Sequence, residues 1–170
     1  SPLHAWYAIV EITGPEGVRR LPIHDFYIKA GKVDLRPGEL QTAIIIPKEA
    51  YEGYFGHYIK YAMRNAMDIA TTGCSVNVKL SEDKKTILDA RIAYGVAGPV
   101  PMRAPSAEAK IRGKETGRAA VKEFAQAVLE DINPRDSWRA AKDFREHIAT
   151  VLAERALCES IRLAGGEVHE

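Results

Sequence analysis

The chain has 170 residues, 46% of them hydrophobic and 28% charged. That is enough for one well-packed domain plus part of another, and too apolar for a disordered tail. With 24 Lys and Arg against 23 Asp and Glu the formal net charge is +1, which removes any overall electrostatic argument for nucleic acid or an anionic membrane.

From the N-terminus, Ser1 to Ile12 enters an apolar run directly, so the chain is expected to begin within a domain. Ala8 to Ile12 reads as a strand, Gly14-Pro15-Glu16-Gly17 as a turn, and Val18 to Ile23 as its antiparallel partner. His24 to Tyr27 suits a short helical turn. Arg36-Pro37-Gly38-Glu39 marks another turn, and Leu40 to Ile46 is a β-branched stretch closed by Pro47. Lys48 to Gly56 lacks periodicity and reads as a linker or exposed loop, which places a domain boundary after Pro47.

Beyond it, Tyr58 to Ala62 and Cys74 to Leu80 read as strands joined by a segment, centred on Arg64 to Asp68, that suits a helix. Ser81 to Lys85 is a charged hairpin tip, and Ile87 to Val96 returns as a third antiparallel strand. So small a sheet needs cover on one face. Helical spacing appears at Glu108 to Ile111, Glu115 to Asp131 and Trp138 to Ala164, the last with Asp136 and Ser137 as cap candidates and Gly165-Gly166 as a stop. The expected class is α+β: about three antiparallel strands packed against C-terminal helices, preceded by strands of another domain.

The stretch Lys60-Tyr61-Ala62-Met63-Arg64-Asn65-Ala66-Met67-Asp68-Ile69-Ala70, followed by Gly73-Cys74, resembles the start of the C-terminal domain of flavoprotein subunits of molybdenum hydroxylases. Three further blocks match in order: Arg36-Pro37-Gly38-Glu39-Leu40; Asp89 to Ala97 with Pro99 and Pro101-Met102-Arg103-Ala104; and Ser137-Trp138-Arg139 with Phe144-Arg145. The form of the first block is most similar to bacterial xanthine dehydrogenase flavin subunits.

The resemblance implies that residues 1–47 are the C-terminal remnant of an FAD-binding domain and 48–170 a separate C-terminal α+β domain. It implies an assembly with a molybdenum-cofactor subunit and an iron–sulfur subunit, electrons passing through FAD to NAD; separately, Cys74 and Cys158, far apart and in no Cys-x-x-Cys pair, fit a reduced, cytoplasmic setting. The family's two glycine-rich phosphate loops are missing from this sequence. FAD is therefore expected in the full-length subunit, and this segment has no phosphate cradle of its own. Gly14 with Gly17, Gly95 with Gly98, and Gly165-Gly166 read as turn or helix-stop residues.

By the same resemblance Lys60 reaches the isoalloxazine edge, where a cation stabilises developing negative charge; a solvated strand lysine is the plain alternative. Arg64 and Asp68, four apart, pair across a turn if the segment is helical and shape access to the flavin. Gln41 stands where many relatives place an apolar residue against the flavin ring. No catalytic residue and no metal ligand is expected, because the five histidines are scattered and Cys74 lies in an apolar strand. Arg135, Arg139, Lys142 and Arg145 around Trp138 and Phe144 read as a solvated, salt-bridged helix or a subunit contact rather than a nucleic-acid surface. The alternative to a flavoprotein fragment is a stand-alone protein–protein interaction module without a flavin.

Overall fold

The computed structural model describes residues 1–170. A one-turn helix α1 (Pro2–Ala5) leads into β1 (Ile9–Gly14), and Gly14 faces Gly17 across the turn to β2 (Gly17–Pro22). Gly17 takes φ +114°, a conformation that a side chain would strain. Helix α2 (Ile23–Phe26) and the hairpin β3 (Tyr27–Lys29) and β4 (Lys32–Val33) follow. Then β5 (Leu40–Ile45) returns antiparallel to β1, giving the order β2-β1-β5. Alternation along β1 turns Val10 and Ile12 inward, where they meet Ala8, Ile23 and Phe26 in a small core.

The segment after Pro47 is not a structureless linker: it forms α3 (Lys48–Tyr51), and β6 (Phe55–Tyr61) begins before Gly56. Pro47 sits at the N-cap with φ −62°, a position proline tolerates because it needs no backbone donor. Next come β7 (Thr72–Leu80), β8 (Ile87–Gly95) and the two-residue β9 (Met102–Arg103), making an antiparallel sheet β6-β7-β8-β9 with one strand more than expected. Helices α4 (Pro105–Ile111), α5 (Arg118–Ala127), a 3-10 turn at Val128–Glu130, and α6 (Lys142–Leu163) complete the chain.

Against β7 and β6 packs α6, and against β8 packs α4. The resulting core of 25 residues includes Val76, Ile92, Phe124, Leu157 and Ile161. Ser160 fixes α6 to the sheet by donating to the Val76 carbonyl at 2.8 Å. The long helix starts at Lys142, not Trp138: Asp136 accepts the Lys142 N–H at 2.7 Å and caps the helix from six residues away. Its end follows the sequence, with Gly165 at φ +83° and the Gly166 N–H reaching the Ile161 carbonyl at 2.9 Å.

Unusually for so small a sheet, β7 is buried along both faces, because α1 packs on the side opposite the helices. The two cores are joined there by Arg91 of β8. Its guanidinium lies 4.1 Å from the Tyr7 ring and 3.8 Å from the Tyr54 ring, and donates to the Ala50 carbonyl at 2.9 Å and to Asp89 at 3.3 Å. Arg103 lies 4.3 Å from the Tyr7 ring, and Glu108, buried, binds Arg103 and accepts the Ile92 N–H.

Candidate functional site

Between β6 and β7 the chain is a closed loop and not a helix. The Thr71 N–H donates to the Tyr61 carbonyl at 2.8 Å, pinning the loop's base. Asp68 does not pair with the Arg64 guanidinium across a helical turn. Its carboxylate instead accepts the backbone N–H of Arg64 at 3.0 Å and of Ile69 at 2.9 Å, while the Arg64 guanidinium donates to the Met67 carbonyl at 2.6 Å. Asp side chains compete with helix in this way whenever local backbone donors are within reach. Desolvation is the largest influence on Asp68 and pushes its carboxyl up, but the N–H donors of Arg64, Ile69 and Met63 and the Arg64 charge outweigh it, holding the group below its ordinary range.

Lys60, at the end of β6, donates from Nζ to the Asp68 carbonyl at 2.6 Å and has no carboxylate partner. The loop ties these polar atoms to its own backbone and leaves Met63, Met67 and Ile69 exposed. A single unneutralised ammonium beside apolar surface suits the edge of a planar ring that gains negative charge. Lys60, Arg64 and Asp68 are thus brought together by one loop. Gln41 is not among them: it lies exposed on β5, opposite Ile12, in the other sheet and without a side-chain hydrogen bond to the loop.

A cleft of about 410 Å³ opens beside β5, lined by Gly14, Gly17, Arg19, Arg36 and Glu39 among others. Its cations are already matched. Arg19 binds Glu39 and Asp34, each at 2.8 Å, and Arg36 lies 3.5 Å from Glu16. Hydrogen bonds from Arg19 and from the Arg36 N–H hold the Glu39 carboxyl down at about 2. A cleft carrying its own carboxylates does not attract a pyrophosphate, and Gly14 and Gly17 act as hairpin residues, as their spacing indicates. The residues present fit the ring edge of a flavin and not its phosphates.

Elsewhere, no group of three His, Cys, Asp or Glu side chains could hold a metal ion. The Cys74 thiol is buried, and desolvation pushes it up to about 12 against weaker opposing effects of Tyr94 and the N-terminus, so it is no nucleophile. The basic stripe is not wholly solvated. Arg145 is buried, donating to the Ser137 hydroxyl at 2.9 Å, to the Ala140 carbonyl at 3.4 Å and to the Thr71 carbonyl. The arginine clamp at Arg91 and the exposed Met63, Met67 and Ile69 carry no periodic signal in the sequence; only the loop's composition hinted at the latter.

Residues 57–160, from within β6 to within α6, match the CO dehydrogenase flavoprotein C-terminal domain. The chain belongs to this family. As a CO dehydrogenase flavoprotein C-terminal domain it carries Lys60, Arg64 and Asp68 inside the matched segment, with Gln41 outside it. It is 36% identical over 168 residues to the xanthine dehydrogenase FAD-binding subunit of Escherichia coli O157:H7, covering 99% of this chain and 57% of that protein. It is 31% identical to the glyceraldehyde dehydrogenase medium chain of Sulfolobus acidocaldarius, over 92% of this chain and 54% of the relative. Among solved structures, CO dehydrogenase from Hydrogenophaga pseudoflava lacking the Mo-pyranopterin moiety superimposes with a TM-score of 0.84 at 28% identity, over 94% of this chain and 54% of that one. The chain thus spans about half the length of the curated relatives it matches. The α+β architecture expected from the sequence agrees with this likeness, and no helix is long and apolar enough to cross a membrane.

Proposed function

We propose that this chain is the C-terminal part of the FAD-binding subunit of a xanthine dehydrogenase-like molybdenum hydroxylase. The observation that carries the reading is the 36% identity to such a subunit along 99% of the chain. On this reading residues 1–47 end the FAD-binding domain and 48–170 form the following domain, a division supported by two cores that share no residue. FAD, when bound, supplies the relay between iron–sulfur clusters, fed from a molybdenum cofactor in a separate subunit, and NAD. The chain's own contribution is local. Lys60 presents positive charge at the ring edge, fixed there by the Asp68 carbonyl, and Asp68 holds the loop closed through two backbone N–H groups. Met63 and Met67 displace water from the same surface. Gln41 lies apart from these three, on β5, and takes the place at which an apolar side chain packs against the ring in relatives. Both cysteines are free, consistent with the cytoplasm.

The test is FAD retention by the full-length protein purified with its partner subunits, alongside Lys60→Ala. The wild type should carry FAD that NADH reduces, and Lys60→Ala should lower both flavin content and the rate of reduction. A wild type that assembles with its partners yet carries no FAD would replace this reading with that of an interaction module. Bound FAD that NADH fails to reduce would remove NAD as the acceptor.

A further inference from the structure

Alternation along β6 sorts its side chains between two faces. Ile59 and Tyr61 pack against the larger core, on the side of α6. Gly56, Tyr58 and Lys60 lie on the other face, where the register sets Gly56 against Asn77, Tyr58 against Ser75 and Lys60 against Gly73. That face is covered at Gly56, since a Cβ there would stand 3.3 Å from the Trp6 ring. The cover ends before Tyr58, which is 43% exposed, and Lys60 beyond it is exposed as well.

Gly73 gives the Tyr58 ring its place. A Cβ at Gly73 would lie 2.8 Å from the Tyr58 hydroxyl oxygen and 3.3 Å from a ring carbon, so any side chain there would push the phenol aside. Gly73 does not take a positive φ, and its own backbone makes no demand for glycine; the demand comes from the neighbouring tyrosine, as glycine within a strand often marks a close approach. The hydroxyls of Tyr54 and Tyr94 donate to Asp89 and to the Ala149 carbonyl, whereas that of Tyr58 has no protein acceptor. Lys60 spends one of its three N–H donors on the Asp68 carbonyl. A neutral donor and a cation with donors to spare therefore stand two residues apart on one face, with no carboxylate paired to either.

We propose that Tyr58, seated by Gly73, is a positioning residue for the flavin ring, its hydroxyl donating to a carbonyl oxygen at the edge that Lys60 faces. The inference rests on the reading of Lys60 as the residue at that edge. The exposed apolar side chains of the adjoining loop, Met63, Met67 and Ile69, suit the face of a ring better than a phosphate. Carbonyl oxygens at the ring edge gain negative charge on reduction, and a hydrogen bond to them strengthens as that charge develops. Tyr58 therefore orients the ring and favours its reduced form, a way in which protein groups tune a cofactor. Gly73 touches no ring atom and acts through the tyrosine.

The experiment uses the full-length subunit purified with its partner subunits, as wild type, Tyr58→Phe, Gly73→Ala and, for reference, Lys60→Ala. The FAD dissociation constant and the flavin reduction potential are measured on each, with far-ultraviolet circular dichroism as the check on folding. Tyr58→Phe should weaken FAD binding about 2–10-fold, the loss of one hydrogen bond of ordinary strength, and lower the potential, with the dichroism unchanged. Gly73→Ala keeps the phenol but displaces it, so it should lower the potential too, and should lower it little further when added to Tyr58→Phe. A Tyr58→Phe protein with wild-type affinity and potential overturns the inference. So does affinity lost at wild-type potential, which puts the contact away from the ring. Either result leaves the functional reading standing where Lys60→Ala still lowers both. A wild type that assembles with its partners yet carries no FAD overturns that reading, and this inference with it.

Discussion

Replacing Arg91 tests whether the two cores are held together at one side chain. Arg91→Ala removes the charged hydrogen bond to the Ala50 carbonyl, worth about 1.5–3 kcal/mol. It also removes two desolvated stacking contacts, with Tyr7 and Tyr54, worth roughly 1–2 kcal/mol each. Asp89 stays matched, because the Tyr54 hydroxyl at 2.6 Å and Arg112 at 2.8 Å still bind it. Relief of the desolvation that a buried guanidinium suffers offsets part of the loss, leaving a net destabilisation of about 3 kcal/mol. For a chain of this size that corresponds to a midpoint roughly 6–12 °C lower. Arg91→Lys keeps the charge but not the planar group between two rings, and should fall about midway. Urea unfolding gives the magnitude, and amide hydrogen exchange gives the location: β1 and β5 should lose protection while β7 keeps it. Wild-type stability in both variants, to within about 0.5 kcal/mol, would show that Arg91 does not join the cores. So would a loss of protection spread evenly over both sheets.

Two further outcomes follow from buried polar groups. His4 is buried with Nε2 unpartnered, and desolvation, helped by the N-terminal ammonium, His24 and Arg103, lowers it to about 4. The unfolded chain takes up its proton near 6.5 and the folded chain only near 4, so this contribution is complete above 6.5 and is lost as the pH falls between those values. His4→Gln should flatten the slope of urea midpoint against pH in that window; an unchanged slope would contradict the assignment. Gly56→Ala places a Cβ against the Asn77 side-chain oxygen and 3.3 Å from Trp6. Asn77 has no hydrogen-bond partner to guide it elsewhere, so a loss of about 1–3 kcal/mol is expected by thermal unfolding.

Local signals were legible where local physics decides the structure. The Gly14–Gly17 turn, the alternation of β1 and the Gly165-Gly166 stop each follow from backbone conformations that few other residues adopt. The Arg64–Asp68 spacing misled because a four-residue interval stabilises a helix only when an apolar face anchors it. Here Met63, Met67 and Ile69 have nothing to pack against, and Asp68 finds backbone donors first. Helical periodicity back to Trp138 misled for the converse reason: Asp136 supplies the cap at Lys142 and leaves Trp138 outside the helix. Lys60 was identifiable through its block of matching residues, but its contact with the Asp68 carbonyl depends on loop closure. Arg91 and Arg145 act on partners 41 and 74 residues away, Ala50 and Thr71, and no pattern along the chain announces such a contact.

The open edge of the first sheet has a consequence for the life of the chain in a cell. Its two outer strands differ: β2 carries Arg19, Arg20 and Pro22, which discourage addition of another strand, whereas β5 runs Leu40-Gln41-Thr42-Ala43-Ile44-Ile45 with neither charge nor proline. Leu40 and Ile44 are exposed along it. A strand of this kind is a template for any extended segment that meets it. Until that edge is covered, by other sequence of the same subunit or by a partner, newly made polypeptide is open to chaperones, to proteases and to its own copies. The order in which the edge is made and covered is thus a demand set by the six residues of β5.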